Sequence, residues 1–124
     1  MSVTELADEV GANLAGLESV CDGSMSEAYA FFRHKVGPEV ALAAALVESA
    51  VALQDLGRTA PQPAQLLLGD LCLARASRLL AETGDTRLQV AFAVAVECVA
   101  AAAAGGPAAQ ALRDLLVAAI SGQR

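Results

Sequence analysis

The chain has 124 residues, a formal net charge of −6, 56% hydrophobic but only 3% aromatic residues, and three cysteines. One domain of this length buries roughly two thirds of its unfolded surface, and an apolar, aromatic-poor composition favours closely packed helices over a sandwich or barrel. Acidic balance with eight scattered basic residues excludes a nucleic-acid backbone binder, and Cys21, Cys72 and Cys98, odd in number and without a CxxC pair, suggest neither a disulfide framework nor a zinc site.

Residues 1–124 therefore read as a single all-α domain, with the cysteines as reduced thiols, two of them small core residues. Glu5, Asp8 and Glu9 stand where a signal peptide needs a basic and then an apolar run, which implies a cytoplasmic protein. Ser2 with Glu5 forms a capping box, and Leu6, Val10, Leu14, Leu17 and Cys21 predict one face of a first helix ending at Cys21-Asp22-Gly23. Gly11 and Gly16 weaken that helix, so its stability has to come from docking.

Ser24 and Glu27 repeat the capping-box pattern and predict a second helix, carrying Tyr29, Phe31 and Phe32 and stopped by Gly37-Pro38. Pro38 suits the first position of a third helix, which runs through Val40, Leu42, Leu46, Val47, Ala50 and Leu53 to a Gly57 cap. Residues 57–63 (Gly-Arg-Thr-Ala-Pro-Gln-Pro) predict an extended connection.

Pro63 then opens a fourth helix, ending at Thr83-Gly84, in which Leu66, Leu73 and Leu80 recur at heptad spacing and Leu68, Leu71 and Leu79 widen the stripe. This pattern predicts a central helix covered on most of its surface. Asp85 caps a fifth helix carrying Leu88, Phe92, Val96 and Val99, Gly105-Gly106-Pro107 breaks it, and Leu112, Leu115, Leu116 and Ile120 predict a sixth. The apolar run from Leu88 to Ala104 is short for a membrane span, contains Glu97 and is rich in Ala, so it reads as a buried helix.

Within the fourth helix, Leu68-Gly69-Asp70-Leu71-Cys72-Leu73-Ala74-Arg75-Ala76, followed by Leu79-Leu80-Ala81 and Gly84-Asp85, resembles the second signature helix of trans-polyprenyl diphosphate synthases. The resemblance extends over about Val40 to Gly106 and implies a helical bundle of that family. It does not bring the family's catalytic equipment. In the helix before it, where that family carries the magnesium-binding DDxxD motif, only Asp55 matches an aspartate; Leu56 and Thr59 remove the face on which several carboxylates would hold a metal-diphosphate. The basic loop that follows is reduced to Arg58, and the chain stops short of the second aspartate-rich motif.

The resemblance therefore implies a non-catalytic small subunit of a heteromeric polyprenyl diphosphate synthase, pairing with a larger catalytic subunit and helping to set product chain length. No catalytic residue, metal site or cofactor is expected in this chain, and magnesium is expected only in the partner. Ala50 and Val51, just before the degenerate aspartate position Asp55, are the implied chain-length positions. Leu66, Asp70, Leu73, Arg75, Leu80, Phe92 and Val96 are the implied subunit interface. A self-associating helical scaffold or regulatory protein unrelated to prenyl chemistry is the alternative, since five or six apolar helices present more hydrophobic face than a small monomer readily covers.

Individual polar residues leave two readings open. Asp70 is either a functional carboxylate or one facing a neighbouring helix or solvent. Arg75 and Arg78 lie either at a subunit contact or on an ordinary surface. Glu48 and Glu97 interrupt apolar helices without the Glu-x-x-His pairs that a di-metal bundle uses, and His34, the only histidine, has no nucleophile paired with it by motif.

Overall fold

The computed structural model describes residues 1–54, 62–103 and 112–122, and these form six α-helices and no strand. The first helix, α1 (Val3–Val10), begins as expected: the Ser2 hydroxyl accepts the Glu5 N–H and the Glu5 carboxylate accepts the Ser2 N–H. It stops at Gly11, ten residues short of the expected end. Two 3₁₀ turns, Gly11–Leu14 and Glu18–Val20, follow, and between them Gly16 turns the chain at φ 85°, a left-handed conformation that suits glycine. Leu14, Leu17 and Val20 remain buried because a spacing of three matches the 3.0-residue period of 3₁₀ turns as well as it matches an α-helix. Val20 thus takes the core position expected of Cys21, which is only partly covered.

Helix α2 (Gly23–Arg33) starts two residues earlier than the Ser24 pattern implies. Asp22 is its N-cap, accepting the Met25 N–H at 3.0 Å and the Ser24 hydroxyl at 2.9 Å. Those bonds favour the ionised carboxylate and hold the Asp22 carboxyl below its ordinary range. Glu27, the other half of the expected capping box, is drawn instead to Arg113.

Helix α3 (Pro38–Gln54) opens on its proline and is the centre of the molecule. Every residue from Ala41 to Val47, and Ala50 as well, is buried. It packs chiefly against α2 and α4 and more lightly against α6. Five of those buried residues are alanines, and side chains that small let neighbouring backbones approach from more than one side.

Helix α4 (Pro63–Glu82) is therefore not the central element. It meets the rest of the chain through Gly69, Cys72, Ala76, Leu79 and Leu80, a stripe at three- and four-residue spacing, while Leu66, Leu67 and Leu71 stay 39%, 60% and 44% exposed. Size explains the choice, since Gly, Cys and Ala permit the close contact with α3 that leucines would hold apart. At Gly69 the fit is tight: a Cβ there would come within 2.8 Å of the Gln54 side chain, whose Nε2 donates to Asp70 Oδ1 at 3.0 Å.

Gly84, at φ 74°, ends the hairpin arm and Asp85 caps α5 (Thr86–Ala103), its carboxylate accepting the Leu88 N–H at 3.0 Å. Helix α6 (Leu112–Ser121) packs on α5 and buries Leu116 and Ala119. Among the described residues no helix is long and apolar enough to cross a membrane. The expected Gly57 cap, most of the extended connection and the Gly105-Gly106-Pro107 break lie outside the described residues.

Candidate functional site

A cleft of about 200 Å³ opens between α3, α4 and α5. Leu73, Ala76, Ser77 and Leu80 line it from α4, Gln89, Phe92, Ala93 and Val96 from α5, and Val47 from α3. The positions on each long helix fall at three- and four-residue steps, so one face of each supplies the wall. Phe92 and Leu80, 2% and 3% exposed, form the floor.

Both helices also carry exposed apolar side chains that do not line this cleft. Leu67 and Leu71 are one turn apart on α4, and Val90 and Val94, 57% and 49% exposed, are one turn apart on α5. A small-molecule pocket generally offers about 300–1,000 Å³, so the cleft is undersized for an enclosed ligand and of a scale to receive side chains from another chain.

Four of the seven residues expected at an interface, Leu73, Leu80, Phe92 and Val96, are thus brought together in one cleft, although Leu80 and Phe92 belong to the internal core and are reachable only through its floor. Leu66 is exposed farther along α4. Two others are engaged within the chain. Asp70 accepts from Gln54, which is the neighbouring-helix role rather than a free carboxylate. Arg75 reaches back to the N-terminal segment, donating to the Asn13 carbonyl at 2.5 Å and the Ala15 carbonyl at 2.8 Å, and so covers one backbone acceptor in the first 3₁₀ turn and one just after it.

Leu67, Val90 and Val94 escaped the heptad reading, and Leu71, which that reading counted in the covered stripe, is exposed. Once the small stripe Gly69, Cys72, Ala76 is given to α3, the i, i+4 leucine pair on the remaining face is the signal that finds them. Ala50 is fully buried in α3 and Val51 partly so, and neither lines the cleft. Asp55 lies outside the described residues.

A polar cluster at Glu48 of α3 ties three helices together. Arg113 on α6 donates to both oxygens of Glu27 on α2, at 2.7 and 2.9 Å, and to both oxygens of Glu48 on α3, at 2.8 and 2.9 Å. Its guanidinium also lies 4.7 Å from the centre of the Phe31 ring, where a planar cation is favoured. The hydrogen bond from Arg113 holds the Glu27 carboxyl below its ordinary range, and the two carboxylates hold the guanidinium firmly protonated.

Glu48 therefore interrupts its apolar helix to meet an arginine, and Glu97 is exposed. His34 is the exposed C-cap of α2. Burial pushes the Cys72 thiol up to about 11, so it is an unreactive core thiol, whereas Cys98 is exposed on α5. Among the described residues no three His, Cys, Asp or Glu side chains are grouped as metal ligands. No family model, curated protein or solved structure matches this chain.

Proposed function

We propose that this protein is a non-catalytic helical subunit that meets a larger chain through the face of α4 and α5, and that the larger chain is a catalytic polyprenyl diphosphate synthase whose product length it helps to set. The observation that carries the reading is the exposure of five large aliphatic side chains, Leu66, Leu67 and Leu71 on α4 and Val90 and Val94 on α5. Leaving five large aliphatic side chains in water on two adjacent helices forfeits stabilisation that association recovers. The Gly-Asp helix supports the choice of partner class by its resemblance alone, and magnesium would be held by that partner.

Self-association is the second reading, favoured by charge. The first 54 residues hold eight carboxylates against two basic side chains, whereas residues 63–103 hold four against three. Two copies of an acidic protein repel least across the part of the chain that is nearly neutral.

Co-expression with a DDxxD-bearing polyprenyl synthase chain tests the proposal. Co-elution of the two chains and a changed distribution of prenyl product lengths are expected. Leu67→Asp with Leu71→Asp should abolish co-elution while helix content stays the same, because both positions are exposed in the isolated chain. A symmetric homodimer with no affinity for the synthase chain would favour the second reading, and a monomer indifferent to that chain would overturn both.

A further inference from the structure

We draw no further inference here: the strongest candidate, the groove between α2 and α3 walled by Ser24, Ser49 and Ala52 and bounded by the Glu27–Arg113–Glu48 cluster, carries nothing because the guanidinium and both carboxylates satisfy one another and no unpaired buried polar atom among the described residues points to a ligand.

Discussion

Helices α3 and α4 are similar in length and both rich in apolar residues, yet α3 is buried along most of its course and α4 keeps three leucines partly in water. Helix α3 is the more apolar of the two, with two charged residues against four on α4, but that alone does not set which face goes inside. The difference is where each keeps its small residues. Alanines recur around α3, so α2 and α4 can close on it from different directions, whereas α4 concentrates Gly69, Cys72 and Ala76 on one stripe, continued by Leu79 and Leu80, and turns Leu66, Leu67 and Leu71 outward. Close approach, with the dispersion contacts it brings, decides which face is inside, and the leucines left over stay exposed.

Core truncation on α3 gives the largest expected effect. Leu42→Ala removes a fully buried side chain and should cost about 2–5 kcal/mol in a urea or thermal melt of the isolated chain. A loss under ~1 kcal/mol would mean that α3 is not the centre of the core.

Next comes the cluster that pins α6 to α2 and α3. Arg113→Ala leaves Glu48, whose side chain is only 21% exposed, facing α6 without its cation. A loss of about 2 kcal/mol is expected, below the ~3–5 of a fully buried pair because solvent reaches part of the site. Differential scanning calorimetry of the variant measures it, and an unchanged melt would show that the aromatic and aliphatic contacts of α6 suffice.

The Gly69 contact is smaller and has a sign that context sets. Gly69→Ala alone gains helix propensity but pushes the Gln54 side chain off Asp70, so little net change is expected. In a Gln54→Ala background the clash is gone and Gly69→Ala should stabilise by about 0.5–1 kcal/mol. If it destabilises there too, the approach of α3 and α4 is limited by backbone rather than by Gln54.

Acid sensitivity should be smaller again. Arg113 lowers the Glu27 pKa from its ordinary 4.5, so folding favours the charged carboxylate; that stabilisation is complete above 4.5 and fades as pH falls through the lower folded-state value. Glu27→Gln should flatten the pH dependence of stability in this acid range and leave neutral pH little changed, since the Glu27 side chain is 60% exposed. Asp22, lowered by its capping bond to Met25, still contributes the same sign in the variant. Circular dichroism across an acid titration gives the comparison.

Smallest of all is the effect on the outer face. Leu67→Ala should alter the stability of the isolated chain by no more than ~0.5 kcal/mol, against the several lost at Leu42, because Leu67 is already 60% exposed. A large loss would place Leu67 in the core and remove the basis for a docking face.

Local signals carried much of the fold. The Ser2 capping box, Pro38 at a helix start, the Gly84 turn and the Asp85 cap are short-range patterns whose hydrogen bonds form within a few residues, and each is found where its pattern lies. The site was legible only in part. Leu73, Leu80, Phe92 and Val96 share a cleft as helical periodicity allowed, but their spacing could not say that two of them are floor and two are wall. Arg75 and Glu48 were ambiguous for a simpler reason: their partners lie some sixty residues away in the chain.

By itself the sequence determined the all-α class, the number of helices and most of their ends, because periodicity, caps and breakers act locally on the backbone. Tertiary structure alone decided that the first helix gives way to 3₁₀ turns after Val10, that Asp22 caps α2 while Glu27 pairs with Arg113, and that α3 displaces α4 as the central element. Each of these depends on which surfaces meet. A leucine stripe and a small-residue stripe both fit a helix equally well, and only the packing of α3 against α4 selects the one that goes inside.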